Sequence, residues 1–374
     1  MSKFVSLKSA PWVEFGYGST ERLGEVLGTT GIARWFVVYD SGVSDLVPRA
    51  LRAVRPSLIC GLWEHRGGEP TISDLERARE ALRLGDGTGV IGIGGGAAMD
   101  LAKGVAVLAG NVDPAGNFQG PPRRIGGGVA SVLIPTTAGS GSESTWSAVF
   151  VNDETNVKRG INGPDVMAHA AILDPELTLD LPPLVTAFSG ADALTHAIES
   201  YVSKNANDFS EACALRAMKL IFRSLTVAVT EGRRDSRADM LMASHLAGRA
   251  IANSEVGLAH ALSYPLSRVA SVPHGWGNAI LVPMTTRYCL EGAAEKYAVI
   301  AELVGVRSGA GDLPAYLEEL MRSIGIGGLK DTFDLTQVDW STIADEALLL
   351  EGPLANSPVR IDKQAALDIY KAMP

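Results

Sequence analysis

Four short, nearly unbroken apolar runs lie in the first half of the chain: Arg34–Asp40, Ser57–Trp63, Gly89–Ile93 and Val129–Pro135. They lack the in–out alternation of a strand with one wet face, so each must be covered on both sides. A sheet buried on both faces is built from parallel strands with helices laid over each surface. The intervening segments supply those helices. Asp74–Leu82 has helical spacing behind a cap at Thr71 or Ser73, and the mostly apolar stretch from Met99 to Ala109 reads as a second helix. The texture changes near Leu177. Beyond it the chain is rich in Ala and Leu at helical spacing, as in residues 193–202, 210–223, 237–252 and 292–304. A single core stops growing at roughly 250–300 residues, and this chain has 374. The expected architecture is therefore α/β plus all-α: a Rossmann-like parallel-sheet domain over residues 1–178, then a helical domain over 179–374.

The net charge of −9 argues against nucleic acid or an anionic membrane as partner. No apolar run approaches the roughly 18 residues needed to span a bilayer. Three cysteines, far apart and without a CxxC, argue against a thiolate zinc site and a disulfide framework. With no basic segment followed by an apolar one at the start, the expectation is a cytoplasmic protein acting on a small molecule.

Two segments of the first domain carry binding chemistry. Gly92-Ile93-Gly94-Gly95-Gly96-Ala97-Ala98-Met99-Asp100 sits at a strand end and opens a helix. Glycines there let backbone approach a pyrophosphate, while the helix N-terminus offers unpaired N–H groups. The spacing is not GxGxxG, and turns of this kind also close strands that bind nothing. The second segment runs from Pro135 to Thr145 and packs hydroxyls and glycines after an apolar strand. Such a loop lines a polar ligand or forms a long turn. Asp40 ends a parallel strand, where a carboxylate can bond a ribose 2′-OH and repel a 2′-phosphate. That favours NAD(H) over NADP(H), although a turn-forming Asp reads the same way.

The helical half holds the stronger constellation. Asp192 and His196 are four apart, on one face of a helix. His260 and His274 follow, each in an Ala/Gly/Leu setting, in a chain with only six histidines. A lone histidine in such surroundings is usually a core residue; three with a carboxylate make a metal site the better reading. One carboxylate with three imidazoles suits Fe²⁺ or Zn²⁺ and leaves room for a substrate oxygen. Trp146, Phe150, Tyr264 and Trp276 are candidate pocket walls.

With these residues assembled, the sequence resembles the iron-containing (group III) alcohol dehydrogenase family nearly end to end. The resemblance runs through Glu69-Pro70-Thr71, Gly94-Gly95-Gly96 with Asp100-Leu101-Ala102-Lys103, Pro135–Thr145, Lys158 and Asp174-Pro175. It continues through Asp192 and His196, Asn253, the His260 and His274 motifs, and Asn356. It implies a nucleotide-binding α/β domain, a helical domain with Fe²⁺ or alternatively Zn²⁺ on Asp192, His196, His260 and His274, and a homodimer. It places the cofactor against Asp40, Gly94, Gly95, Gly96, Asp100, Lys103, Thr136, Thr137, Ser140, Ser142 and Lys158. The reaction it implies is hydride transfer between a primary alcohol or aldehyde and NAD(H), with Tyr264 and Lys158 as catalytic candidates.

Three departures stand out. Ala97 replaces the usual Ser of the glycine turn, and Met167 stands where a Pro is usual. Tyr264 occupies the position, four after His260, where many members carry a further His held to relay protons. A tyrosine hydroxyl can take over that relay or only shape the pocket. Together with Gln119-Gly120 and Gly352-Pro353-Leu354, it is similar to 3-deoxy-manno-octulosonate 8-oxidase-like members, which implies a sugar-acid or other polyhydroxylated substrate. The alternatives are a small aliphatic alcohol or diol dehydrogenase and, more distantly, a sugar-phosphate cyclase of the dehydroquinate synthase type.

Overall fold

The computed structural model describes residues 7, 8, 11–270 and 272–373. The chain divides into two compact units, Lys8–Asp180 and the residues from Leu181 onward.

The first unit is a six-stranded, all-parallel sheet. Its strands are β1 (Trp12–Phe15), β2 (Trp35–Asp40), β3 (Ile59–His65), β4 (Gly89–Gly94), β5 (Ala130–Pro135) and β8 (Ala170–Leu173), in the order β1-β8-β5-β4-β2-β3. A separate antiparallel pair, β6 (Ser147–Val151) and β7 (Lys158–Asn162), forms the hairpin between β5 and β8. Helices α1 (Leu23–Thr29) and α2 (Val47–Ala50) cover one face of the main sheet. Helices α3 (Ile72–Leu84) and α4 (Gly96–Val107) cover the other. β2 shows why its run is apolar throughout. Trp35 and Val37 pack with Leu23, Val26 and Val47, while Phe36 and Val38 pack with Leu75, Leu82 and Leu101. Each side chain lands in one of two cores, and a polar residue on either face would be stranded in one of them.

α3 begins where expected, with a capping box in which Thr71 accepts the Asp74 N–H and Asp74 accepts the Thr71 N–H. α4 begins at Gly96, three residues before the expected Met99, because Gly96-Ala97-Ala98 enters the helix instead of closing the turn. Phe150 is a second correction. It does not wall a pocket but lies fully buried in the α3/α4 core. A Cβ on Gly104 of α4 would sit 2.6 Å from the Phe150 ring, so the missing side chain is the space that the ring fills.

The second unit is helical: α5 (Pro183–Val202), α6 (Asp208–Thr230), α7 (Arg234–Ser254), α8 (Leu258–Ala270), α9 (His274–Cys289) and shorter helices after them. α5 is buried on all sides for most of its length. Glycines let its neighbours close on it: a Cβ on Gly190 would lie 2.4 Å from Leu225 of α6. One on Gly275, in the first turn of α9, would lie 2.3 Å from the Phe188 carbonyl oxygen of α5. No helix among the described residues is long and apolar enough to cross a membrane.

Candidate functional site

The carboxyl ends of the parallel strands meet where the strand order reverses. From β2 the chain steps outward to β3, returns past β2 to β4, and then steps the other way to β5. Ligands of open α/β sheets bind at such a point. Asp40 ends β2 and Gly94 ends β4, and a Cβ on Gly94 would come 3.0 Å from the Asp40 Cβ. Gly94 has φ +149°, a conformation that L side chains rarely adopt. Gly95 is the N-cap of α4, and no side chain caps that end. Thr137 and Ser140 close on the same turn: a Cβ on Gly96 would meet Ser140 Cβ and Oγ at 2.9 Å, and one on Gly95 would meet Thr137 Oγ1 at 3.6 Å. Thr136 is fully buried with its hydroxyl unpartnered, while its N–H donates to the Gly94 carbonyl at 2.9 Å. An uncapped twelve-residue helix behind three glycines, ringed by hydroxyls, fits a dinucleotide pyrophosphate.

The other cofactor candidates of this unit are occupied inside it. Lys103, 1% exposed, donates to the Ser142 carbonyl (2.9 Å), Thr145 Oγ1 (3.0 Å) and the Ser147 carbonyl, and pairs with Asp100 at 3.0 Å. Burial pulls its ammonium below the ordinary lysine range, against the pull of Asp100 and Glu143. Asp100 accepts the Ser142 hydroxyl (2.5 Å) and the Val149 N–H (3.0 Å). Asp100, Lys103 and Ser142 thus clamp the loop after β5 onto α4 and hold Ser140 in place. Lys158, on β7, donates to Glu69 at 2.8 Å. Asp40 accepts the Gly42 N–H at 3.1 Å.

In the second unit, α5 presents Asp192 and His196, α8 presents His260 from its first turn, and α9 begins at His274. Their donor atoms converge. From Asp192 Oδ1 the distances are 3.9 Å to His196 Nε2, 3.8 Å to His260 Nε2 and 3.7 Å to His274 Nε2. Donor atoms of Asp192, His260 and His274 all lie within 4.8 Å of one another. His196 approaches from the side, its ring stacked on His260 with centroids 4.6 Å apart. Four donors around an ion at ~2.1 Å stand roughly 3.4 Å from each other, so Asp192, His260 and His274 are grouped to hold a divalent cation, and His196, outside their mutual 4.8 Å set, must draw in to join them. Burial raises the Asp192 carboxyl, but the three imidazoles and the Asn278 amide outweigh it and hold the pKa at about 2. Tyr264 lies against the same centre, stacked on His274 (5.4 Å, 24°) and edge-on to His260 (6.1 Å). Trp276 is buried against Phe333, and Trp146 lies under the Lys8 ammonium.

Two residues of this centre went unnoticed in the sequence. Asn278 Nδ2 stands 2.7 Å from Asp192 Oδ1, 3.0 Å from His260 Nε2 and 3.2 Å from His274 Nε2, donating into the space between them. It is four residues after His274, the same helical spacing that exposed Asp192 and His196. Glu199 accepts from His260 Nδ1. Its position seven after Asp192 and three after His196 was the available signal.

Residues 10–175 match the model of iron-containing alcohol dehydrogenases, and residues 186–373 match that of the C-terminal part of the Fe-containing alcohol dehydrogenase family. The chain is 35% identical to long-chain-alcohol dehydrogenase 1 of Geobacillus thermodenitrificans, over 97% of this chain and 95% of that protein. Among solved structures, a 1,3-propanediol oxidoreductase superposes with a TM-score of 0.93 at 30% identity, covering 99% of each chain. Sulfoacetaldehyde reductase from Bifidobacterium kashiwanohense, in complex with NAD⁺, superposes with a TM-score of 0.90 at 25% identity, covering 99% of this chain and 98% of its own. An oxidoreductase of alcohols and aldehydes, the chain belongs to the iron-containing alcohol dehydrogenase family.

Proposed function

We propose that the chain interconverts a primary alcohol and its aldehyde with NAD(H) in preference to NADP(H), using Fe²⁺, or alternatively Zn²⁺, held by Asp192, His196, His260 and His274. The observation that carries this reading is the convergence of three imidazole nitrogens on one buried carboxylate oxygen. When bound, the ion supplies Lewis acidity to a substrate oxygen and the nicotinamide exchanges the hydride. The chain's own residues bind and orient. The uncapped α4 terminus and Gly94-Gly95-Gly96 receive the pyrophosphate, while Asp100, Lys103 and Ser142 keep Ser140 and Thr137 facing it. Asp40 bears the NAD preference through the ribose hydroxyls, and Lys158 stands beside the cofactor. Tyr264 moves the hydroxyl proton, its ring fixed by stacking on His274.

For the substrate, the reading is a polyhydroxylated compound such as a sugar acid, supported by the Tyr264 ring packed on His274 and His260 of the metal centre. The named relatives act on long-chain alcohols, 1,3-propanediol and sulfoacetaldehyde, which keeps aliphatic alcohols and diols as the second reading. The test is NADH absorbance with Fe²⁺- and Zn²⁺-loaded protein against aliphatic alcohols, diols and sugar acids. Turnover with sugar acids at least tenfold above the rest is expected. His260→Ala should lose bound metal and turnover together; an active, metal-free variant would sink the proposal.

A further inference from the structure

Glu199 lies on α5 on the same stripe as Asp192 and His196, 7% exposed, and faces the start of α8. Its Oε2 accepts the Gly257 N–H at 2.8 Å, and its Oε1 accepts the Ala259 N–H at 2.5 Å. The same Oε2 stands 2.5 Å from His260 Nδ1. Ala259 lies in the first turn of α8 and Gly257 immediately precedes it, at a helix end that an anion stabilises. Gly257 makes the approach possible, since a Cβ there would stand 3.2 Å from Glu199 Oε1 and 3.3 Å from its Cδ. The backbone leading into this turn is held at Glu255 with φ +62° and ψ 178°, a conformation left almost entirely to glycine.

The third contact decides the chemistry of His260. A carboxylate oxygen has only lone pairs to offer, so an imidazole nitrogen held 2.5 Å from it must carry the hydrogen. A neutral ring with its proton on Nδ1 keeps its lone pair on Nε2. That atom faces Asp192 Oδ1 at 3.8 Å and accepts from Asn278 Nδ2 at 3.0 Å. From this we infer that Glu199 is a positioning residue of the metal centre: it locks His260 in the Nδ1–H tautomer and, by capping α8, sets the distance at which Nε2 is presented. One helix then supplies two donors directly and governs a third on another helix. The inference rests on the metal reading above. Carboxylates in this relation to a ligating histidine typically change metal affinity by about 10–100-fold when removed.

A purely structural cap would lower thermal stability and leave metal affinity and tautomer alone, so the test reads the latter two. In metal-free wild-type protein carrying ¹⁵N-labelled histidine, His260, identified by the loss of its signals in His260→Gln, should show a protonated Nδ1 and a bare Nε2. The opposite tautomer would overturn the inference, and this arm needs no change at Glu199. In the second arm, Glu199→Gln keeps the size but offers one acceptor oxygen to three donors. Its Zn²⁺ affinity by chelator competition should fall 10–100-fold, with an altered Co²⁺ absorption spectrum. A folded Glu199→Gln protein with wild-type Zn²⁺ affinity and Co²⁺ spectrum would refute the positioning role. Wild-type protein that binds neither Zn²⁺ nor Co²⁺ would instead refute the metal reading itself.

Discussion

Gly275 joins backbone packing directly to the metal centre, and Gly275→Ala tests that link. The new Cβ would lie 2.3 Å from the Phe188 carbonyl oxygen, where ordinary contact begins near 3.4 Å, so about 1.1 Å of separation must be found (3.4 minus 2.3). Neither neighbour is a flexible side-chain tip. The Phe188 carbonyl belongs to the α5 turn that ends on Asp192, whose N–H it accepts in the i to i−4 pattern. The Asp192 Cβ is itself only 3.3 Å from the new atom. Whichever helix gives way, Asp192 and His274 move apart by close to 1 Å, roughly five times the ~0.2 Å that a metal site tolerates. Overpacking of this kind costs about 1–3 kcal/mol of stability. Zn²⁺ affinity should fall at least ~100-fold, since a single displaced support already costs 10–100-fold. The assay is chelator competition beside a thermal melt, with Gly311→Ala as control, because a Cβ there meets nothing within 4 Å. A Gly275→Ala protein that binds Zn²⁺ like the wild type would refute the claim that this close approach sets the ligand spacing.

Three further outcomes are expected. Asp40→Ser should shift the ratio of kcat/KM for NAD⁺ over NADP⁺ toward NADP⁺ by about tenfold, or ~1.4 kcal/mol; an unchanged ratio removes Asp40 from cofactor choice. Tyr264→Phe should keep its metal and lose about 10²-fold in kcat, the usual size of a proton-transfer contribution, whereas full activity would leave the ring as a wall only. The helical unit should weaken in alkali. Burial lifts the Cys289 thiol from its ordinary 9.0 to about 11, and lifts the Tyr297 and Tyr370 phenols as well. For Cys289 the folded value is raised, so the stability it contributes is complete below pH 9 and is lost as pH rises through 11, while the two phenols, ordinarily near 10, begin their loss only above pH 10. At ~1.4 kcal/mol per unit, Cys289 alone accounts for about 3 kcal/mol. A urea midpoint unchanged between pH 8 and pH 10.5 would contradict this.

What the sequence disclosed follows from how far each signal depends on neighbours in the chain. β2, β4 and β5 were legible because a strand buried on both faces is apolar nearly throughout, whereas the β3 run, expected to be covered on both sides, is an edge strand with Leu62 57% exposed. β1 and β8 escaped notice: Trp12–Phe15 and Ala170–Leu173 are four residues each, and they become strands only through pairing with segments distant in sequence, β1 with β8 and β8 with β5. The imidazoles and Asp192 announced themselves by residue type. Glu199 did not, because a glutamate on a helix ordinarily faces water, and only the arrival of α8 turns it inward. Phe150 misled for the converse reason. It follows closely on the hydroxyl-rich loop that ends at Thr145, while its real partner is the gap at Gly104.

The stripe formed by Asp192, His196 and Glu199 also determines which genetic changes α5 can survive. Substitutions between these positions leave the helical phase intact. Loss or gain of one residue anywhere from 193 to 195 turns everything beyond it by about 100°. His196 and Glu199 would leave the stripe together, and the support of His260 would go with them. Drift in this segment is therefore confined to letter changes at fixed length, even though most of its letters are plain alanine, leucine and threonine.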